Sequence, residues 1–187
     1  VPVPAEYSVG EGYFYFNADM KFGVENESQL RMVSDFVTLL GRQTGFIPSI
    51  MIGSETADVR LKTVTSLPDE AYNLIVTSEK ILIESAGDAG FFYALQSLRQ
   101  LLPVGVVEGK KQNRTMEYRI PVMTVNDRPR FGYRGLMIDV SRYFMPKHNL
   151  LKIIDAASFL KINKIHLHLV DDNGWRLEIK KYPRLTQ

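Results

Sequence analysis

Two periodicities of apolar residues organise the first part of the chain. Short alternating runs, GYFYFN (Gly12 to Asn17), DVRLKTV (Asp58 to Val64), YNLIVTS (Tyr72 to Ser78) and KILIESA (Lys80 to Ala86), are rich in aromatic and β-branched residues and bounded by turn formers. They predict strands, and the last two predict a hairpin turning through Ser78, Glu79 and Lys80. A helical period occurs twice. One helix is predicted behind an N-cap at Asn26, whose side chain can accept from the amide of Gln29, with Leu30, Val33, Phe36, Val37 and Leu40 on one face and an end near Gly41 or Gly45. The other is predicted from Asp88, with Phe91, Ala94, Leu95, Leu98, Leu101 and Leu102 in one stripe and Pro103 as its stop. Two one-sided helices on a mostly antiparallel sheet make a small α+β layer domain, read as residues 1–125. Its charged residues are scattered, which suits a scaffold.

Gly105 to Thr115 is polar, carries Lys110-Lys111 and reads as a loop or long hairpin tip. EYRIPVMTV (Glu117 to Val125) then reads as a return strand in which Pro121 is tolerable only at an edge or at the start, and NDRPRFGYRG as a linker. Beyond it the pattern changes. LMIDV (Leu136 to Val140) is a strand, Pro146 to Asn163 a helix with Leu150, Ile153, Ile154, Ala157 and Leu160 on one side, and KIHLHLV (Lys164 to Val170) a second strand. Strand, crossover helix and strand predict a βαβ unit with parallel strands, and near-continuous apolar strands of this kind are expected to be buried on both faces. Parallel α/β sheets place their chemistry past the carboxyl ends of the strands. Here those ends are Asp139-Val140-Ser141-Arg142 and Asp171-Asp172-Asn173. Alternation puts Ile165, Leu167 and Leu169 on one face and His166, His168 and Val170 on the other. Strict alternation would send Asp171 to the leucine side, so it can turn toward a pocket only if the strand has ended or bulged before it.

Composition narrows the partners. At 187 residues and 45% hydrophobic the chain can bury a core, and its 23 basic and 21 acidic residues leave +2 with no basic block. Nucleic acid and anionic membrane are therefore not implied, and no apolar run approaches the ~20 residues that span a bilayer. With no cysteine, disulfides, thiolate catalysis and Cys-ligated zinc are excluded. Asn26-Glu27-Ser28 and Asn113-Arg114-Thr115 fit the N-glycosylation triplet. The start at Val1 rather than Met reads as a processed or trimmed product.

The stretches RPRFGYRGLMIDVSRYF and KINKIHLHLVDDNGWRLEI closely resemble the opening of the catalytic (β/α)8 barrel of family 20 glycoside hydrolases, the exo-acting β-N-acetylhexosaminidases. EAYNLIVTSEKILIESAGDAGFFYALQSLRQLLP resembles the small α+β domain that precedes that barrel. The resemblance implies an α/β chain: an α+β domain of a sheet and two helices over 1–125, then the incomplete start of a TIM barrel over 126–187. It implies a parent enzyme that removes terminal non-reducing N-acetylhexosamine from glycans, needs no cofactor, and works in a periplasmic, extracellular or lysosome-like compartment.

The resemblance also implies roles. Arg134 is similar to the arginine that grips hydroxyls of the terminal sugar; on its own chemistry it reads first as a structural partner for a carboxylate at a barrel end. Asp171 resembles the aspartate of a hydrogen-bonded relay to the catalytic glutamate, and His168 a histidine supporting the strand end. Asp139 and Arg142 match as members of a structural ion pair, Tyr143 stands where the family often has histidine, and Trp175 belongs to a packed GWR turn. In the family mechanism the substrate's own acetamido oxygen attacks the anomeric carbon while a glutamic acid protonates the leaving group. The Asp-Glu pair that does this work in the family is matched by no strand end here, since Asp69-Glu70 lies in the SLPDEAY loop. The fragment alone is therefore expected to be inactive and, with an unfinished barrel, to self-associate. Two alternatives remain at this point. One is a metal-dependent amidohydrolase-type barrel using His166 and His168 as ligands. The other is a non-catalytic carbohydrate-binding or assembly module.

Overall fold

The computed structural model describes residues 2–53, 55–103 and 118–186. The loop expected over Gly105 to Thr115, with its lysine pair and the Asn113 triplet, lies outside them. The chain divides into two compact units between Arg130 and Phe131. A boundary after Val125 would cut a strand, because the last strand of the first unit continues through Asp127.

Unit 1 contains β1 (Glu6–Tyr15), β2 (Lys21–Val24), α1 (Glu27–Thr44), β3 (Ser49–Ile52), β4 (Val59–Thr63), β5 (Tyr72–Val76), β6 (Ile81–Ser85), α2 (Asp88–Leu101) and β7 (Arg119–Asp127). The strands form one sheet in the order β1-β7-β5-β6-β4-β2-β3. It is mixed rather than mostly antiparallel: β1, β7, β5 and β6 pair antiparallel, whereas β6, β4, β2 and β3 pair parallel. The parallel half contains β2-α1-β3, a crossover unit of its own. Neither β2 nor β3 stands out by alternation, being four residues each.

Register explains the core. Val76, Ile81, Val59 and Phe22 lie opposite one another across four strands, and Leu74, Ile83 and Leu61 form the next row. All are buried in one cluster with Val33, Phe36, Val37 and Leu40 of α1 and Phe91, Ala94, Leu95 and Leu98 of α2. Each large apolar side chain so buried contributes about 1.5–3 kcal/mol. The helix ends follow the sequence. Asn26 Oδ1 accepts from Gln29 N at 3.0 Å, and Gly45, at φ 84°, closes α1 with its N–H on Gly41 O. The Asn26 triplet thus has structural work, and its Ser28 hydroxyl donates to Asp88 Oδ2 at the start of α2. Pro121 lies where β7 overruns β5, whose pairing stops at Val76 opposite Met123, so there β7 has a neighbour on the β1 side alone.

At the end of β7, Tyr72 donates its hydroxyl to Asp127 Oδ2 at 2.9 Å. Its second partner, Ser97 Oγ at 2.6 Å, must then be the donor in that contact. Burial pushes the Tyr72 hydroxyl far above the usual tyrosine range.

Unit 2 holds β8 (Gly135–Asp139), α3 (Lys147–Phe159) and β9 (Lys164–His168), with β8 and β9 parallel as expected. A hairpin, β10 (Val170–Asp171) and β11 (Gly174–Trp175), follows, and then a 3-10 turn at Pro183–Leu185. The expected burial on both faces does not occur. Ile138 and Val140 are buried, but Met137 is 53%, Ile165 38% and Leu167 36% exposed. Met137 lies on one face and Ile165 and Leu167 on the other, so two strands and one helix within the unit cover neither face completely. Helix α3 stops earlier than the sequence suggests: Leu160 is its exposed C-cap, and Lys161 turns the chain with φ 60°. Among the described residues no helix is long and apolar enough to cross a membrane.

Candidate active site

Strand β9 ends at His168, and Leu169 stands outside any ladder before the hairpin begins. That break decides where Asp171 points. Instead of following the leucines, its Oδ2 lies 3.1 Å from Nε2 of His168, on the face that His168 shares with its register partner Asp139. Asp171 pairs with Gly174, leaving Asp172-Asn173 as a two-residue turn, and the amide of Asp172 donates to Asp171 Oδ1 at 2.8 Å.

The end of β8 supplies the other half of the site. Asp139 Oδ1 accepts from the amides of Ser141 and Arg142, each at 3.0 Å, which bends the chain so that Arg142 turns back. Its Nη1 then donates to Asp139 Oδ2 at 2.7 Å and its Nη2 meets Asp171 Oδ2 at 2.9 Å. One guanidinium therefore bridges the carboxyl ends of two parallel strands, with 53% of its side chain still open to solvent.

The electrostatics follow the contacts. The backbone N–H of Arg142, with its guanidinium and the Ser141 amide, holds the Asp139 carboxyl below the usual range. The N–H of Asp172 does the same for Asp171, helped by Arg142. The Asp139 hydrogen bond raises Arg142 in turn. Nε2 of His168 faces Val170 O at 2.9 Å as well as the ionised Asp171, and both of these accept. The ring must therefore carry its proton on Nε2.

Arg134 is elsewhere. It precedes β8 at the amino end of the strand, where Nε donates to Lys161 O at 2.9 Å and Nη1 to Phe131 O at 2.7 Å. Its backbone is tied to Asn163 and Lys164. The structure thus brings His168 and Asp171 together with Asp139 and Arg142, and leaves Arg134 at the opposite end. The ion pair expected between Asp139 and Arg142 is present and extends to Asp171, and the position of Arg142 after the strand, rather than before it, sets it at the carboxyl end. Trp175 donates Nε1–H to Leu177 O at 2.6 Å within its own turn. Glu70, in the β4–β5 loop of unit 1, accepts the Tyr93 hydroxyl at 3.0 Å. His166 shares the His168 face but is exposed, and among the described residues no group of three His, Cys, Asp or Glu could hold a metal.

Comparison with known proteins agrees with this division. Residues 1–128 match the model of "Glycosyl hydrolase family 20, domain 2", and residues 131–187 that of "Glycosyl hydrolase family 20, catalytic domain". The whole chain is 32% identical over 191 residues to a β-hexosaminidase of Porphyromonas gingivalis, covering 24% of that protein. It is 35% identical over 192 residues to one of Vibrio vulnificus, covering 20% of it. Among solved structures, a mutant Streptomyces plicatus β-hexosaminidase in complex with product (GlcNAc) superposes with a TM-score of 0.88 at 32% identity, over 98% of this chain and 37% of that one. The chain thus spans between 20% and 37% of the lengths of these relatives. The match over 131–187 displaces the amidohydrolase reading, and the match over 1–128 displaces a free-standing binding module. Unit 1 is the α+β domain and unit 2 the strand-helix-strand start of the catalytic barrel: the chain belongs to glycosyl hydrolase family 20.

Proposed function

We propose that this chain is part of an exo-β-N-acetylhexosaminidase, a glycosidase that removes terminal non-reducing N-acetylhexosamine from glycans by substrate-assisted retaining hydrolysis. The observation that carries this is the Arg142 bridge between Asp139 and Asp171 at the carboxyl ends of β8 and β9, in a chain whose relatives are β-hexosaminidases. Substrate reaches a parallel barrel at that end. Arg142, rather than Arg134, is then the arginine that holds sugar hydroxyls: a planar fork that meets two carboxylates at the carboxyl end keeps an open side for further acceptors. Asp171 stays ionised at neutral pH and can accept a further N–H from a histidine in a relay that sets the pKa of the catalytic acid, while His168 supports it from below with its Nε2–H.

The bond-breaking groups come from elsewhere in the parent. There the acetamido oxygen of the sugar attacks the anomeric carbon, a glutamic acid protonates the leaving oxygen, and water later opens the oxazolinium-like intermediate with net retention. Asp69-Glu70 does not substitute for them, since Glu70 is engaged by Tyr93 in unit 1. The same reading assigns the parent to a periplasmic, extracellular or lysosome-like compartment; activity recovered only from cytosol would refute that assignment.

The test is hydrolysis of an aryl N-acetyl-β-glucosaminide followed by NMR of the released sugar. The full-length protein is expected to give the β-anomer first, and the purified 187-residue chain to give no turnover. Initial release of the α-anomer, or no hydrolysis by the full-length protein, would sink the proposal.

A further inference from the structure

We infer that Arg176 is a positioning residue that, with Ser141 and Gly174, locks the loop after β8 to the hairpin after β9 and so fixes Arg142 between its two carboxylates. This rests on the reading of Arg142 as the sugar-holding arginine.

The lock is visible in the bonds. Arg176 Nε donates to Val140 O at 3.1 Å and its Nη2 to Ser141 O at 3.2 Å. These are the last two carbonyls before Arg142. The backbone N–H of Arg176 donates to Leu169 O at 2.8 Å, at the break that lets Asp171 turn. Ser141, fully buried, donates its hydroxyl to Gly174 O at 2.5 Å, and Gly174 is the register partner of Asp171. The contacts close a ring: Arg142 follows Ser141, Ser141 holds Gly174, Gly174 faces Asp171, and Asp171 receives Arg142. The Arg176 guanidinium lies 5.4 Å from the centre of the Phe144 ring, which brings the far side of the same loop under its control.

Such a lock is physically necessary. Ion pairs as exposed as those of Arg142 fix a long side chain only weakly, so its geometry must come from the backbone that carries it. Gly174 has no room for a side chain, since a Cβ there would sit 2.7 Å from Arg176 Nη2 and 2.8 Å from Ser141 O. Lysine at 176 would keep the charge but could not reach two successive carbonyls with one rigid fork.

The experiment is a double-mutant cycle in the full-length protein, assayed on an aryl N-acetyl-β-glucosaminide. Arg176→Lys is expected to lower kcat/KM by about 10- to 100-fold, as misplacement of a positioned group does. In an Arg142→Ala background the same change should cost no more than about twofold, because its target is gone. Losses that multiply in the double variant, or an Arg176→Lys enzyme with unchanged kcat/KM, would overturn the inference. If Arg176→Lys fails to fold, Ser141→Ala, which removes one hydroxyl, runs the same cycle. A crystal structure of the Arg176→Lys protein gives a readout independent of turnover: Arg142 released from Asp139 or Asp171 supports the lock, and unchanged Arg142 contacts refute it. An inactive parent with Arg142 released in the variant would defeat the hexosaminidase reading and leave the lock standing.

Discussion

Helix α2 crosses the sheet at Gly90 with no space for a methyl group. A Cβ built there falls on Ser85 Oγ and on the carbonyl oxygen of Ala71, and lies 3.1 Å from Ser85 Cβ. Neither oxygen can retreat as a surface side chain would, for Ser85 is fully buried and its hydroxyl donates to Ala71 O at 2.9 Å. Two effects then oppose each other in Gly90→Ala. Helix propensity favours alanine by up to about 1 kcal/mol, less in a first turn. Overpacking costs about 1–3 kcal/mol, and displacing the Ser85 hydroxyl from buried partners costs about 1–3 kcal/mol more. Packing wins, and a net destabilisation of about 1–6 kcal/mol is expected. Urea unfolding of the 187-residue chain followed by far-UV circular dichroism measures it, with Gly90→Ala/Ser85→Ala as control. The control should recover part of the loss by removing one of the two obstructing oxygens. A Gly90→Ala chain as stable as the parent, or more stable, would show that propensity governs the site and that α2 does not sit so close to β6.

Three further outcomes follow from the site and the units. On the proposed relay role of Asp171, Asp171→Asn in the full-length protein should lower kcat and shift its pH profile; a change confined to KM would remove Asp171 from the relay. Asp139 and Asp171 both titrate below the usual 3.8 when folded, so they add stability above that value which is lost as pH falls through their lowered folded values. Unit 2 should therefore weaken below about pH 4, and an acid limb of thermal stability unaltered by Asp139→Asn and Asp171→Asn together would contradict this. Hydrogen exchange should show strong protection in α1, α2 and the β5–β6 hairpin, but weaker or concentration-dependent protection from Leu136 to His168, where Met137, Ile165 and Leu167 are exposed. Uniform protection in a monomer at every concentration would refute self-association through unit 2.

Local signals were legible in the chain and long-range ones less so. Asn26, Gly45 and Pro103 mark helix ends by chemistry confined to a single turn, and the β5–β6 hairpin follows from adjacency, with Thr77 and Lys80 bonded across its turn. The parallel half of the sheet was hidden, because β2 and β3 are short and their pairing depends on a crossover through α1. Within the site, the KIHLHLV run gives no hint that the ladder stops at His168, so the turn of Asp171 could be stated only as a condition. Arg134 and Arg142 both lie in the family-like stretch, eight residues apart. The motif resemblance favoured Arg134, whereas strand direction favours Arg142: Arg134 precedes β8 at its amino end and Arg142 follows it at the carboxyl end, where parallel sheets place their chemistry.

The most direct test of this account compares those two arginines in the full-length enzyme. Arg142→Ala is expected to reduce kcat/KM for an aryl N-acetyl-β-glucosaminide by at least ~10²-fold with the fold retained, through loss of charge-assisted hydrogen bonds to the sugar. Arg134→Ala, which removes the side-chain donations to Lys161 O and Phe131 O at the amino end of β8, should lower thermal stability while the folded protein keeps kcat/KM within a few-fold. The opposite pattern, with catalysis lost on Arg134→Ala and preserved on Arg142→Ala, would contradict the assignment of the carboxyl-end bridge as the sugar-holding site.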